Sequence, residues 1–161
     1  ELQNDELIEA LKKFGKLLIV STGGHQADDI HAAIDEINDD AVVFLHCIAN
    51  YPVLAGNQNL SFIQTLRNRH SNSIGYSSHD EDWEIALLAL QFGAAYIERH
   101  ITIDKAGGGL DESTSSTPEE FKKLCLVAQN YRNIIGDGVR KINQGELINM
   151  QNLGTSLYAC A

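Results

Sequence analysis

With 161 residues, 43% of them hydrophobic and 21% charged, the chain can bury one sizeable core. A formal charge of −10 argues against a nucleic-acid or anionic-membrane surface. No apolar run approaches the roughly 18–20 residues that span a bilayer, and Glu1-Leu2-Gln3-Asn4-Asp5 lacks the basic and apolar regions of a secretory leader.

A helix over Glu6–Phe14 precedes four apolar runs that read as strands: Leu17–Ser21, Val42–Cys47, Ser73–Ser77 and Ala95–Thr102. Each is followed by a segment with helical apolar spacing: Ala27–Ile37, Leu60–Arg69, Asp82–Phe92 and Pro118–Ile135. The runs are nearly continuous rather than alternating, as strands covered on both faces are, and a strand plus helix every 25–30 residues is the period of a parallel sheet. Asp28, Asp29, Glu81 and Asp82 place acids in first helical turns, where the macrodipole favours them. Thr117-Pro118-Glu119-Glu120 is a helix start and Gly136-Asp137-Gly138 a stop. The leucine-rich stretch Ile85–Leu90 and Trp83 read as core, and the tail from Arg140 to Ala161 has weak periodicity. Four such units are half of an eight-fold barrel, which needs about 200 residues or more, so the chain reads as a piece of a larger protein.

His79 and His100 stand at the ends of two neighbouring strands, and parallel α/β proteins place their chemistry beyond those carboxyl ends. Two neutral imidazoles converging there make a divalent-metal site with positions left for a substrate. Ser21-Thr22-Gly23, Tyr51-Pro52 and Ser77 fall on the same rim, and Gly107-Gly108-Gly109-Leu110-Asp111 brings an acid to it. Thr22 reads equally as a cap for the following helix, and Tyr51 as packing for its loop. His46, within a strand, reads as buried and satisfied; His25, His31 and His70 fall on loops or helix surfaces and receive no role. The glycine run precedes no helix and is not a phosphate loop. Cys47, Cys125 and Cys160 are far apart with no CxxC pair and read as free thiols in a reducing, cytoplasmic setting.

The chain resembles the sialic acid synthase family, the phosphoenolpyruvate-dependent N-acetylneuraminate synthases. The matching stretches, in family order, are Leu18–Gly23, Leu45-His46-Cys47 running to Tyr51-Pro52, Asn59-Leu60, Gly75–His79, Ile97–Asp104, Asp111 with Ser115, Thr117–Phe121 and Gly136-Asp137-Gly138. The resemblance implies an α/β fold, a (β/α)8 TIM barrel of which this chain supplies about the last four βα units, strands five to eight, over residues 1–139. Residues 140–161 would be a linker or tail toward an antifreeze-like domain.

By the same resemblance, His79 and His100 hold a divalent metal, usually Mn²⁺, with Mg²⁺ or Co²⁺ as alternatives. His79, His100 and Asp111 are the implied catalytic residues. Ser21 and Ser77 match positions that contact phosphoenolpyruvate, and Tyr51 and Asp111 match the sugar side. The implied partners are phosphoenolpyruvate and an N-acetylated amino sugar, N-acetylmannosamine or a related acetamido sugar, with a homodimer in the full-length protein. Ser78 stands where the family usually has aspartate, which predicts looser orientation of His79. Ala49 stands where the family often has asparagine. These departures lean slightly toward the alternative of a non-catalytic half-barrel that binds metal or a partner, while the leading reading stays the carboxy-terminal half-barrel of a synthase. The two-histidine pattern argues against an octulosonate- or heptulosonate-type synthase, whose metal ligands differ.

Overall fold

The computed structural model describes residues 2–154. They divide into two units, one ending at Asn130 and the other beginning at Tyr131. In the first unit, α1 (Asp5–Lys12) precedes β1 (Leu18–Ser21), α2 (Ala27–Ile37), β2 (Val42–Cys47), α3 (Ser61–Arg69), β3 (Ile74–Ser78), α4 (Ile85–Gln91) and β4 (Ile97–Arg99). The four strands form one parallel sheet in the order β1-β2-β3-β4, so every connection is a βα crossover. This is the expected α/β half-barrel.

Side chains alternate across each strand, and the register turns that alternation into two faces. Val42, Phe44, Ile74 and Tyr76 face the helices and pack with Ile30, Ile34 and Ile37 of α2, Ile63 and Leu66 of α3 and Ala89 of α4. Each fully buried side chain of this kind contributes roughly 1.5–3 kcal/mol of transfer free energy. The opposite, concave face carries Ile19 and Ser21, then Val43, Leu45 and Cys47, then Gly75 and Ser77, then Glu98. Gly75 is required there: a Cβ would lie 2.5 Å from Cδ2 of Leu45, which leans over it, and 2.7 Å from the carbonyl oxygen of Tyr96.

Several expectations are corrected. The expected coverage on both faces holds for β2 and β3, every residue of which is buried, but not for β1, where Ile19 is 49% exposed and burial alternates. The fourth strand is shorter than Ala95–Thr102, because Ile101 leaves the ladder to bridge Ser116. The buried face of α4 is made by Ala86 and Ala89, while Leu88 is exposed and Trp83 only half-buried.

The last long helix, α5 (Pro118–Ile135), starts in the first unit and ends in the second. Its start is a reciprocal cap: Glu120 N–H donates to Thr117 Oγ1, and the Glu120 carboxylate accepts from Thr117 N–H. Gly136, at φ +70°, ends it. The weakly periodic tail holds a further helix, α6 (Gln144–Leu153), opened by an Asn143–Glu146 capping box and burying none of its side chains. Cys160 lies outside the described residues.

Candidate active site

The rim forms where the four strands end. Ser21 closes β1, Cys47 closes β2, Ser77 and His79 flank the end of β3, and Glu98 and His100 flank the end of β4. Period two sends Ser77 and His79 to the same face, and Glu98 and His100 likewise. Together with Ser21, Gly23, His25, Ala49 and Tyr51, and with Leu7, Ile8 and Leu11 of α1, these residues line a concavity of about 440 Å³.

Within it the His79 and His100 rings lie 5.3 Å apart, and the Tyr51 ring packs 4.3 Å from His79 and 6.0 Å from His100. His79 is buried, and its Nδ1 lies 3.1 Å from the Ile48 carbonyl oxygen. An N–H on Nδ1 donates to that carbonyl, which leaves the Nε2 lone pair free, with Ser77 Oγ 3.5 Å away. Ser77 gives its proton to Glu98, at 2.7 Å. His100 is more open, 39% exposed in its side chain, with Nδ1 4.0 Å from Asp111 Oδ2. Asp111 therefore stands at the rim through His100 rather than in the concavity wall.

The charges in this site are shaped by contact. Burial alone pushes the Cys47 thiol up, but His79, Ser21 and Ser77 outweigh it and hold it below the ordinary thiol range. Burial likewise depresses His79, yet Cys47, the Ile48 carbonyl and Glu98 raise it overall. The Tyr51 phenol is pushed up by burial and by the negative neighbours Cys47, Asp111 and Glu98. No lysine or arginine is among the residues lining the concavity. Among the described residues no three His, Cys, Asp or Glu side chains gather as a metal-ligating group, so the histidine pair supplies two donors.

The predicted residues Ser21, Tyr51, Ser77, His79 and His100 are thus brought together, with Asp111 at the edge. Sequence reasoning missed Glu98, Cys47 and His25. Glu98 was legible from period two, being two residues before His100. Thr22 does not cap α2; its hydroxyl donates to the Leu45 carbonyl at 2.9 Å, and the helix begins at Ala27. His46 is buried as expected, with Nε2 2.9 Å from the Gln58 carbonyl oxygen. His31 is buried rather than on a surface, its Nδ1 2.7 Å from His70 Nε2. The Ser78 hydroxyl donates to Asp80 at 2.6 Å, on the face of β3 opposite His79.

A parallel half-barrel with imidazoles, hydroxyls and acids at its strand ends places the chain in the (β/α)-barrel class. More narrowly, residues 1–140 match the NeuB family, and the chain belongs to that family. It is 31% identical to the N,N'-diacetyllegionaminic acid synthase of Campylobacter jejuni, over 99% of this chain and 49% of that protein. It is 28% identical to the N-acetylneuraminate-9-phosphate synthase of Homo sapiens, over 99% of this chain and 45% of that protein. The crystal structure of the N-acetylneuraminic acid synthetase of Leptospira borgpetersenii superposes with a TM-score of 0.78 at 34% identity, covering 94% of this chain and 54% of that one. The chain spans about half the length of the relatives it matches. The resemblance to sialic acid synthases read from the sequence is borne out. No helix among the described residues is long and apolar enough to cross a membrane.

Proposed function

We propose that this chain provides the metal-binding half of a nonulosonic acid synthase, which condenses phosphoenolpyruvate with an N-acetylated amino sugar and releases phosphate. The observation that carries the reading is the pairing of His79 and His100 on one rim, 5.3 Å apart. Two imidazoles sharing one ion at about 2.1 Å per nitrogen hold their ring centres on the order of 5 Å apart, so the pair fits one divalent ion. The Ile48 carbonyl orients His79 as metal-ligating histidines are oriented. A bound Mn²⁺, with Mg²⁺ or Co²⁺ as substitutes, would supply Lewis-acid polarisation of a sugar aldehyde.

The chain's own residues do the rest of this half's work. Ser21 and Ser77 offer hydroxyls toward the phosphoenolpyruvate. Ser77 gives its only proton to Glu98, so engaging an anion requires that hydroxyl to turn from Glu98. The Tyr51 ring walls the sugar side against both histidines, and Asp111, its Oδ2 4.0 Å from His100 Nδ1, accepts from a sugar hydroxyl. In the net reaction carbon 3 of phosphoenolpyruvate bonds to the aldehyde carbon, water adds at carbon 2, and the carbon–oxygen bond to phosphate breaks. The sugar is N-acetylmannosamine or a related acetamido sugar, and the whole enzyme works as a homodimer.

The test is complementation. Combined with the amino-terminal half of a related synthase, the chain should release phosphate from phosphoenolpyruvate only when the amino sugar is present. His79→Ala and His100→Ala should abolish this, and the chain alone should show little or no turnover. A folded complex that stays inactive with each acetamido sugar tried would favour the non-catalytic half-barrel.

A further inference from the structure

Behind the two histidines, on the convex side of the sheet, lies a buried polar network that forms no part of the concavity wall. Arg99 is 8% exposed, and Ser78, Asp80 and Ser116 are each 0% exposed. The guanidinium donates from Nη1 to Ser78 Oγ at 2.7 Å, from Nε to Ser116 Oγ at 2.6 Å and from Nη2 to the Asp80 carbonyl at 2.8 Å. Ser78 passes the contact on, donating to Asp80 Oδ2 at 2.6 Å, and the Tyr76 hydroxyl, 2.6 Å from Gln58 Oε1, lies 3.1 Å from the same carboxylate oxygen. One hydroxyl thus bridges a buried cation and a buried carboxylate.

We propose that Arg99, Ser78 and Asp80 are positioning residues that set the spacing and aim of His79 and His100. Ser78 and Arg99 are register partners on β3 and β4, and each immediately precedes one of the two histidines. Because side chains alternate, a clamp on Ser78 and Arg99 on one face fixes where His79 and His100 project on the other. Asp80 closes the clamp from the far side of His79. Ser116 ties in the returning segment, since its N–H donates to the His100 carbonyl at 2.9 Å. The three segments that carry His79, His100 and Asp111 are therefore joined at one guanidinium. Burying a guanidinium is costly unless it is paired and hydrogen-bonded, and an apolar filling would close the same space more cheaply. What the charged network adds is a fixed relation between two strand ends.

This inference rests on the reading of His79 and His100 as a ligand pair, and the test separates the two. Co²⁺ is titrated into the 161-residue chain by calorimetry and visible absorption. The variants are Ser78→Ala, Asp80→Asn and Ser78→Asp/Asp80→Asn, with His79→Ala and His100→Ala as references. Binding lost in the histidine variants supports the ligand reading, and retained binding there overturns that reading alone. For the network, Ser78→Ala and Asp80→Asn should weaken Co²⁺ about tenfold or more and change the band intensity at saturation, with circular dichroism preserved. The double variant offers Arg99 a carboxylate directly at position 78 and should recover most of the affinity. A metal-free readout stands beside these: ring-to-ring proton contacts between His79 and His100 by NMR, present in the wild type and lost in Ser78→Ala. Ser78→Ala removes one hydroxyl and no charge, so it carries the test should Asp80→Asn not fold. Unchanged ring contacts and unchanged Co²⁺ spectra in folded Ser78→Ala would overturn the inference.

Discussion

His79 and His100 face each other with their rings 5.3 Å apart, yet they are held very differently. His79 is buried and anchored on the Ile48 carbonyl, whereas the His100 side chain is 39% exposed with Asp111 Oδ2 4.0 Å from its Nδ1. A preoriented ligand loses less freedom on binding an ion than a loose one. Mn²⁺ calorimetry should therefore show a larger loss of affinity for His79→Ala than for His100→Ala. Asp111→Asn should weaken binding by no more than about tenfold, the lower end of outer-shell effects. Equal losses in the two histidine variants would show that the difference in anchoring has no bearing on affinity.

The same concavity is poorly suited to an anion by itself. It contains Glu98 and the three histidines, and no lysine or arginine lines it. Phosphoenolpyruvate, the proposed substrate, carries several negative charges, so a divalent ion held by the histidine pair would be a strong local attraction for it. Calorimetric binding of phosphoenolpyruvate to the chain should be measurable with saturating Mn²⁺ and absent after chelation. Equal binding with and without the ion would remove the metal from the account of substrate capture.

How much of this was legible depended on how local the signal was. The bounds of α2, β2 and α5 were readable because a buried apolar run or a capping sequence marks each. The gathering of Ser21, Tyr51, Ser77, His79 and His100 followed from one rule, that parallel strands share a carboxyl edge. The exposure of Ile19 was not readable from β1 itself, because burial there is set by which strand lies beside it. The Arg99 network was hidden for the opposite reason: Ser78, Arg99 and Ser116 look like surface residues in sequence and become buried only through register. The start of α6 carries a local signal despite the weak periodicity after it, since Asn143 and Glu146 are spaced as a capping box.

Acid should weaken the fold through buried neutral histidines. Burial holds His46 below its ordinary 6.5 despite the Gln58 carbonyl, and burial also holds His70 below 6.5 despite Asp35. Below about 6.5 the unfolded chain binds protons that these folded sites resist, so their stabilisation is present above that pH and lost as pH falls. His79, whose pKa is raised, acts in the opposite sense, which is why a variant comparison is needed. Between about pH 7.5 and 5.5, a range that spans the ordinary histidine pKa, urea unfolding should show a smaller loss of stability for His70→Gln than for the wild type. An identical loss would mean that His70 does not contribute to the acid sensitivity.

Gly75 offers the sharpest stability test, because its neighbours are of two kinds. A Cβ there meets Leu45 Cδ2 at 2.5 Å, which a rotamer change could relieve, and the Tyr96 carbonyl oxygen at 2.7 Å, which only a backbone shift could relieve. That carbonyl accepts from Tyr76 N–H at 2.9 Å, joining β3 to the approach of β4. Gly75→Ala should therefore cost about 1–3 kcal/mol, read as a lower urea midpoint at unchanged slope. Adding Leu45→Ala should not restore the midpoint, since the backbone contact remains and a core side chain is lost. Gly56, where an added Cβ would meet nothing within 4 Å, is the control, and Gly56→Ala should stay within about 0.5 kcal/mol of the wild type. A midpoint for Gly75→Ala equal to that control would mean that the two strands yield at this point more easily than close packing allows, and that the distance between the starts of β3 and β4 is not fixed by contact at Gly75.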